Sequence, residues 1–276
     1  MSSSLSGKTM IMSGGSRGIG LAIALRAARD GANVVLLAKT ADPHPKLDGT
    51  VFTAAQEIEA AGGHALPVVG DVRNDADVAD AVSKAVDEFG GIDICVNNAS
   101  AIDVSRTEDL DMKRFDLMQS INVRGTFSLT KACIPYLRKS ANPHVLTLSP
   151  PLNLAPHWLG IHPGYMLSKY GMTLSALGFA EELRADGIAS NALWPRTLIA
   201  TAAVKNLLGG QDRANRGRTV EIMADAAYEI LTKPASEYSG NTAIDDEILS
   251  AAGVADFEKY RVVPGSKDLE LDIFLD

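Results

Sequence analysis

The stretch from Met10 to Gly20, M-I-M-S-G-G-S-R-G-I-G, constrains the fold of this chain more than any other feature. It begins as a short buried strand that stops at Gly14 and Gly15, and an apolar pattern with helical spacing starts at Ile19. A helix that begins directly after such a turn leaves its first backbone N–H groups unpaired, and these groups point into the loop with the positive end of the helix dipole. The sequence therefore predicts a phosphate-binding site between a strand and a helix.

The glycines in this stretch follow a G-x-x-x-G-x-G spacing, formed by Gly14, Gly18 and Gly20. The fingerprint G-x-G-x-x-G of other dinucleotide-binding folds differs from it. Both spacings allow a tight turn, close approach of the backbone to a pyrophosphate and close packing of a helix on a strand. An ordinary tight turn would use such glycines too, so only the rest of the sequence distinguishes a dinucleotide-binding loop from an ordinary turn.

Apolar segments alternate with amphipathic helical segments along the chain. Strands are predicted at Asn33–Ala38, Leu66–Gly70, Ile92–Val96, Val145–Ser149, Ile188–Trp194 and Asn241–Ile244, and helices at Thr50–Ala61, Asp75–Phe89, Met112–Lys139, Tyr165–Ala185 and Val220–Leu231. This alternation indicates the α/β class, with a doubly wound, mostly parallel sheet (a Rossmann fold) covered by helices on both faces. We expect a single domain over residues 1–245 and an extension, 246–276, that docks on this domain or on a neighbouring subunit.

The composition narrows the classes of function. Of the 276 residues, 46% are hydrophobic and 22% are charged, which is typical of a globular protein. A net charge of −8 argues against nonspecific binding of nucleic acid. No apolar run approaches the ~18 residues of a membrane span, and the first residues lack the apolar segment of a signal peptide. We therefore expect a cytoplasmic protein, with Cys95 and Cys133 as buried free thiols and no metal site.

Ligands of a doubly wound sheet bind at the carboxyl ends of the strands, so the residues after each strand are candidates for function. Lys39 follows the second strand, and Ala38 stands where an acidic residue would bind the 2′-hydroxyl of an adenosine ribose. With Arg17 in the glycine loop, Lys39 favours the 2′-phosphate of NADP(H); otherwise Lys39 is a solvated lysine at a strand end. Asp71, after the third strand, either accepts a hydrogen bond from the adenine amine or caps the next helix.

Tyr165 and Lys169 are four residues apart in a predicted helix and therefore share one face. A free tyrosine has a pKa of about 10, and an ammonium beside it stabilises the phenolate and lowers that pKa. Tyr165 would then donate a proton to a carbonyl oxygen that receives a hydride, or accept a proton in the reverse direction. Such a pair also occurs by chance in helices, and the glycine loop roughly 150 residues earlier gives it significance.

Five motifs resemble those of the short-chain dehydrogenase/reductase family: S-G-G-S-R-G-I-G from Ser13, D-V from Asp71, N-N-A-S from Asn97, N-V-R-G from Asn122 and Y-M-L-S-K from Tyr165. The resemblance extends over the chain up to Asp245. It implies an oxidoreductase in which Tyr165 is the proton donor, Lys169 holds the nicotinamide ribose and Asn122 anchors a water in a proton relay. It also implies a cofactor site made of Gly14, Ser16, Arg17, Gly18, Ile19, Gly20, Lys39, Asp71, Val72, Asn98, Ala99 and Lys169. The alternative role of Asn122 is that of a polar residue in a helix that hydrogen-bonds backbone groups. The resemblance also implies a homodimer or homotetramer, the assemblies usual in the family.

Two departures from the family pattern affect the expected chemistry. The resemblance implies a serine after the fifth strand that hydrogen-bonds the substrate carbonyl, but Pro150 holds that position. Ser149 stands one residue before that position. Because neighbouring strand residues point to opposite faces, Ser149 cannot simply be assumed to replace the missing serine. Asn153 is an alternative donor. Loss of one such donor costs about 3 kcal/mol of transition-state stabilisation. Carbonyl reduction, reduction of a conjugated C=C bond and a nucleotide-binding sensor with little turnover therefore all stay open. Arg196 replaces a usual glycine, and it either meets an anionic substrate group or lies on the surface.

Two segments are predicted to be unusually apolar loops over the carboxyl ends of the strands, Pro150–Gly164 and Leu198–Gly210. Their large apolar side chains are Leu152, Leu154, Trp158, Leu159, Leu198, Ile199, Leu207 and Leu208. The loops either close over the nicotinamide as a hydrophobic lid, which implies a small apolar, lipid-like substrate, or pack on the body or on another subunit.

Overall fold

The computed structural model describes residues 4–43, 49–207 and 210–276. Seven strands in these ranges form one parallel sheet, and in chain order they are β1 (Thr9–Ser13), β2 (Asn33–Ala38), β3 (His64–Val69), β4 (Ile94–Asn97), β5 (His144–Leu148), β6 (Ala189–Trp194) and β7 (Thr242–Ile244). Across the sheet their order is β3-β2-β1-β4-β5-β6-β7. The chain thus runs outward from β1 in one direction and then resumes on its other side, which places the topological switch point between β1 and β4. The predicted fold class is confirmed.

Helices cover both faces of this sheet. Those in the described ranges are α1 (Gly18–Ala28), α2 (Val51–Ala60), α3 (Asp75–Phe89), α4 (Met112–Met118), α5 (Gly125–Leu137), α6 (Pro156–Ile161), α7 (Pro163–Glu182), α8 (Ala202–Leu207), α9 (Gly210–Ala214), α10 (Glu221–Leu231) and α11 (Asp245–Ala251). None of the described helices is long and apolar enough to cross a membrane.

The core consists of two layers, one on each face of the sheet, because successive strand residues point to opposite sides. Met10 and Met12 of β1 pack with Ile23 of α1 on one face. Ile11, between them, packs with Val82 of α3 on the other face. The free thiols Cys95 and Cys133 are both buried in this second layer. Strands that are buried on both faces explain why their sequences are apolar throughout.

The structure corrects several predicted boundaries. The helix expected over Met112–Lys139 is α4 and α5 joined by a π-helical segment, Gln119–Arg124. The two expected loops are partly helical, because the first contains α6 and the start of α7 and the second contains α8. Pro156 and Pro163 stand at the first positions of α6 and α7, where the missing N–H of proline has no cost.

Most of the expected lid residues pack against the body of the domain. Leu198 and Ile199 are buried, Leu152, Trp158 and Leu159 are partly buried around an aromatic cluster, and Leu154 is exposed. The side chain of Leu207, the whole of Leu208 and Pro45 in the loop after β2 lie outside the described residues.

The chain beyond β7 packs back onto the same domain. After α11 it crosses the carboxyl ends of the strands, and residues 270–276, here named the closing segment, pair with the backbone that follows β6. Leu198 N donates to Glu270 O at 3.0 Å, and Asp272 N donates to Arg196 O at 2.9 Å. Thr197 and Leu271 form the antiparallel bridge between these two bonds. The closing segment therefore lies over the edge of the sheet where a ligand is expected.

Phe274 fixes the closing segment to the domain. Its side chain is fully buried and its ring packs among four other aromatic rings, with centroid separations of 5.1 Å to Tyr170, 6.1 Å to Trp158, 6.4 Å to Trp194 and 6.5 Å to Tyr165. It adopts a positive φ of 73°, a conformation that costs free energy in a residue with a bulky side chain. Burial of the ring offsets this cost.

We predict that Phe274→Ala lowers the free energy of unfolding by about 3–5 kcal/mol, because it empties a fully buried aromatic site. Urea denaturation followed by tryptophan fluorescence measures the change. Leu271→Ala is the matched control, since Leu271 belongs to the same segment but is 48% exposed, and it should cost less than about 1 kcal/mol. Equal effects of the two substitutions would show that the closing segment is not packed this way in solution.

Candidate active site

The glycine loop between β1 and α1 is built for close approach of backbone. Gly14 and Gly18 have positive φ values of 74° and 59°, which glycine adopts at little cost. A Cβ atom on Gly20 would lie 2.5 Å from Asn98 Nδ2, and one on Gly14 would lie 2.9 Å from the Cα of Ala99. Side chains at these glycines would therefore fill the space where the loop meets the end of β4.

Asn98 clamps the glycine loop from the other side of the switch point. Its Nδ2 donates to the carbonyl oxygens of Ser13 and Gly14 at 3.1 and 2.8 Å. The hydroxyl of Ser13 in turn accepts from the backbone N–H groups of Asn98 and Ala99 at 3.3 and 3.2 Å. The sequence predicted that both segments contact a cofactor, and the structure brings them into direct contact with each other. Ser16 is buried in the same loop, and Ile19 lines the cleft described below.

A cluster of charges lies at the ends of β2 and β3. Lys39 Nζ is 3.5 Å from Asp71 Oδ2, and the Arg73 guanidinium donates to both oxygens of the same carboxylate. Arg73 foremost, with help from Lys39, lowers the pKa of Asp71 to about 2. The sequence predicted cations and no carboxylate beside the adenosine ribose. The residues that end β2 agree with this prediction, but Asp71, which follows β3, places a carboxylate beside Lys39. Arg17 NH2 donates to the carbonyl of Gly49 at 2.6 Å.

Asp71 is not the cap of α3. That position belongs to Asn74, whose side chain accepts from Ala76 N at 3.0 Å. Of the two roles expected for Asp71, contact with an adenine amine is the one that stays a prediction. Val72, the next residue, is buried, and its side chain packs against Gly125 at the start of α5. This contact joins the segment after β3 to α5.

Tyr165 and Lys169 lie on α7 and line one cleft together with Ile19 and Asn98. The cleft has a volume of about 260 Å³, which is just below the usual size of a ligand pocket. Both side chains are buried, with 6% of Tyr165 and 3% of Lys169 exposed. The glycine-loop region and the tyrosine–lysine pair therefore share one cavity, as the sequence predicted from motifs about 150 residues apart.

Lys169 holds its amine inside the protein. Nζ donates to Leu148 O at 2.6 Å, contacts the sulfur of Met172 at 3.5 Å and lies 5.1 Å from the ring centre of Trp194. Burial lowers the pKa of Lys169 to about 7, and the charge of Asp272 opposes this shift. The amine is therefore held at the end of β5 in a state that titrates near neutral pH.

Tyr165 differs from expectation in its acidity. Burial raises the pKa of its phenol above the ordinary value, and the negative charge of Asp272 raises it further. The Ser100 side chain hydrogen-bonds the phenol and lowers the pKa in part. The predicted lowering by Lys169 does not dominate, because desolvation penalises the phenolate and the lysine amine is directed at a backbone carbonyl. The phenol is therefore protonated at neutral pH.

Asn122 lies in the π-helical segment between α4 and α5 and is fully buried. Its Oδ1 accepts from Ala101 N at 2.7 Å, and its Nδ2 donates to Ala101 O at 3.0 Å and to the hydroxyl of Ser168 at 2.9 Å. Asn122 thus ties the segment after β4 to α7, which matches the alternative expectation that it satisfies backbone groups. Short π-helical turns are frequent at functional sites, and the water relay stays a prediction.

Neither residue expected to replace the missing serine is placed to act as the donor. Ser149 is fully buried, and its Oγ has no hydrogen-bond partner among the described residues. The Asn153 amide donates to Phe274 O and to the Asp276 carboxylate at 3.3 and 2.9 Å, so it holds the closing segment instead of facing a substrate carbonyl. Of the two expectations for Arg196, a substrate contact is not supported, because its guanidinium pairs with Asp246 and Glu247.

Two further residues of the cleft were not singled out from the sequence. Ser100 is part of the N-N-A-S motif, and its position directly after Asn98 and Ala99 was a usable signal. Asp272 reaches the cleft on the closing segment. Nothing in its local sequence indicates this, because no motif surrounds it and more than a hundred residues separate it from Lys169.

A doubly wound sheet with a glycine loop at its switch point is typical of dinucleotide-binding proteins. The sequence profile of the short chain dehydrogenase family matches residues 8–211. The hydroxysteroid dehydrogenase-like protein 2 of Danio rerio is 57% identical over 272 residues, which cover 99% of this chain and 65% of that protein. Its Homo sapiens counterpart is 54% identical, with 99% of this chain and 64% of the relative covered. The chain therefore spans somewhat less than two thirds of the length of these relatives.

A solved structure agrees with the sequence comparison. A short chain dehydrogenase from Mycobacterium thermoresistibile superposes with a TM-score of 0.94 at 60% identity, with 99% of this chain and 96% of that chain covered. This chain belongs to the short-chain dehydrogenase/reductase family, whose members are oxidoreductases that use nicotinamide cofactors.

Because burial lowers the pKa of Lys169 to about 7 from 10.5, the folded protein binds fewer protons than the unfolded chain between these values. The stability of the parent protein should therefore rise relative to that of Lys169→Met as the pH increases from 7 towards 10. Urea midpoints of the cofactor-free proteins, measured across this range, test the prediction. Lys113→Met, the same substitution at an exposed position, controls for loss of a positive charge. A stability difference between parent and Lys169→Met that does not change with pH would contradict it.

Proposed function

We propose that the chain is an NADP(H)-dependent oxidoreductase that transfers a hydride to or from an apolar carbonyl or alcohol substrate, with Tyr165 as the general acid or base. The observation that carries this proposal is the single cleft that joins Ile19 and Asn98 to Tyr165 and Lys169. A group that extends from the glycine loop along the cleft would end beside the phenol, which is the arrangement that hydride transfer with coupled protonation requires.

The residues at the switch point fit a dinucleotide. Gly14 and Gly20 leave a cradle that Cβ atoms would fill, and the N-terminus of α1 faces the loop with unpaired N–H groups. Ser16, Arg17, Gly18 and Ile19 would complete the pyrophosphate site. Asp71 and Val72 would flank the adenine, Asn98 and Ala99 the cofactor's middle, and Lys169 the nicotinamide ribose.

The bound cofactor supplies the hydride, and Tyr165 supplies the proton. In carbonyl reduction, the Tyr165 hydroxyl would donate its proton to the substrate oxygen as the carbonyl carbon receives the hydride. The raised pKa of the phenol keeps this proton in place at neutral pH. Lys169 would favour the resulting phenolate when its amine is protonated, and Asn122 would hold α7 in register through Ser168.

Tyr165→Phe should retain cofactor binding and lose turnover by at least about 100-fold, because a general acid contributes that much or more. The substrate comes from a screen of ketones, aldehydes, steroids, acyl-CoA and enoyl-CoA compounds, with NADPH absorbance as the readout. Tyr136→Phe, the same change at a tyrosine of α5 outside the cleft, serves as the control. Turnover by Tyr165→Phe equal to that of the parent would refute the role of the phenol.

The charge cluster at the ends of β2 and β3 supports the choice of NADP(H). Lys39 and Arg73 face one carboxylate, that of Asp71, and Arg17 binds a carbonyl instead of an acid. Lys39, Asp71 and Arg73 together carry a net positive charge, which suits a 2′-phosphate.

Lys39→Ala should weaken the binding of NADPH about tenfold more than that of NADH, since a charged contact of this kind contributes on the order of 1.5–3 kcal/mol. Fluorescence titration with each cofactor measures the two dissociation constants. Lys84→Ala, which removes an exposed lysine paired with Asp80 on α3, is the matched control. Equal weakening of both cofactors by Lys39→Ala would remove the argument from the 2′-phosphate.

The substrate is proposed to be small, apolar and lipid-like. Ile102, Val104, Leu198, Ile199 and Ile273 contribute apolar surface to the walls of the cleft. The curated relatives carry hydroxysteroid dehydrogenase in their names, and a steroid belongs to the same broad class of apolar molecules.

Reduction of a conjugated C=C bond is the second candidate activity. Pro150 cannot donate a hydrogen bond, and Ser149 is enclosed, so the carbonyl lacks its usual serine partner. Enoyl-CoA substrates in the screen distinguish the two activities. Cofactor binding without turnover of any compound would favour the sensor alternative.

A second copy of the chain is the proposed protein partner, in a homodimer or homotetramer. Phe127 of α5 and Leu167 and Leu174 of α7 are each more than half exposed, and Leu167 and Leu174 are seven residues apart and thus on one helix face. Burial of this apolar surface would favour association.

The proposed location is the cytoplasm.

A further inference from the structure

The closing segment brings a carboxylate into the cleft. Asp272 lies in the cleft wall with Tyr165 and Lys169, and among the described lining residues it carries the only acidic side chain. Its charge is close enough to act on both the phenol and the amine, since it contributes to the pKa of each. Any cation held between the glycine loop and Tyr165 would be exposed to the same charge.

Asp272 is held in a defined position. Its backbone N–H donates to Arg196 O at 2.9 Å, and its Oδ1 accepts from Ile273 N at 2.7 Å. Trp194 Nε1 donates to Ile273 O at 3.2 Å, and Phe274 is buried next to it. The carboxylate is therefore preorganised, which means that little reorganisation is needed when a charge forms nearby.

Four ionisable side chains face Asp272. They are Lys169 and Tyr165 of α7, Asp245 at the start of α11, and Arg213 of α9. Arg213 NH2 lies 2.7 Å from Glu270 Oε1, and its charge also lowers the pKa of Asp272 in part. Burial raises the pKa of Asp272 to about 7, with Asp245 adding to the effect and Lys169 opposing it. A pH of 8 lies above the raised pKa of Asp272 and therefore favours its ionised carboxylate.

We propose that Asp272 is a specificity-determining residue for the oxidation state of the cofactor, which makes the cleft bind the cationic, oxidised nicotinamide more tightly relative to the neutral, reduced one. This inference rests on the proposed function, because it requires a nicotinamide cofactor in the cleft. The two cofactor forms differ by one positive charge on the ring. At an effective dielectric constant of about 20, a fixed carboxylate roughly 12 Å from the ring changes their relative affinity about tenfold, and a closer one changes it more.

The same interaction would promote carbonyl reduction within the complex. When a hydride leaves the reduced ring for the carbonyl carbon, the ring becomes a cation, and the proton that completes the alcohol comes from Tyr165. The Asp272 carboxylate would stabilise the positive charge as it develops. Its effect on the phenol is opposite, because the same negative charge raises the pKa of Tyr165 and so disfavours the phenolate that proton transfer leaves behind.

The test is the ratio of the dissociation constants of oxidised and reduced cofactor at pH 8, which needs no substrate. NADPH binding is followed by its fluorescence and NADP+ binding by competition, and NAD+ and NADH are titrated in the same way. Asp272→Asn should weaken the oxidised form about tenfold relative to the reduced form. The amide oxygen of asparagine can still accept the Ile273 N–H bond, and an unchanged melting temperature checks that the closing segment is intact.

Two controls sharpen the result. Asp272→Glu keeps the charge and should keep the parent ratio within about threefold. Asp268→Asn makes the same substitution at an exposed position in the approach to the closing segment and should change neither constant. If the parent binds both forms and Asp272→Asn leaves the ratio unchanged, this inference is wrong while the proposed function stands. If the parent binds neither NADP(H) nor NAD(H), the proposed function fails and this inference fails with it.

Discussion

The contact between the loop after β1 and the loop after β4 is the constraint on which the rest of the site depends. Asn98 Nδ2 donates to Ser13 O and Gly14 O, and only glycine at positions 14 and 20 leaves room for this approach. The contact exists because the sheet order places β4 beside β1 on the side opposite β2. The switch point therefore places the glycine loop and Asn98 at one end of the cleft.

Burial sets the chemistry at the other end of the cleft. The same enclosure raises the pKa of Tyr165 and lowers that of Lys169, because a low-dielectric environment favours the neutral form of each group. The phenol therefore keeps its proton at neutral pH, and donation of that proton requires stabilisation of the phenolate in the reacting complex. The closing segment contributes to this enclosure, since Phe274 stacks near the Tyr165 ring and Asp272 supplies the nearby negative charge.

The secondary structure that depends on local residue patterns could be predicted from the sequence. Apolar runs with a period of two or 3.6 residues predicted the strands and the long helices, and their ends were displaced by only a few residues, as for β3 and β4. The π-helical turn around Asn122 and the short helices α6 and α8 were not predicted, because such segments are stabilised by packing more than by intrinsic propensity. A substrate contact was one expectation for Asn153 and for Arg196, but their partners lie on residues 246–276, far away in sequence.

The sequence by itself determined the class of fold, the glycine loop and the tyrosine–lysine pair, because each follows from residue types at short, fixed spacings. Only the tertiary structure decided which side chains surround that pair, what their charges are and where the residues after β7 run. Ser100 and Asp272 both reach Tyr165, but they approach it from opposite directions along the chain. Contacts between residues so far apart depend on how the closing segment and the loop after β4 pack around the cleft, and no local pattern encodes them.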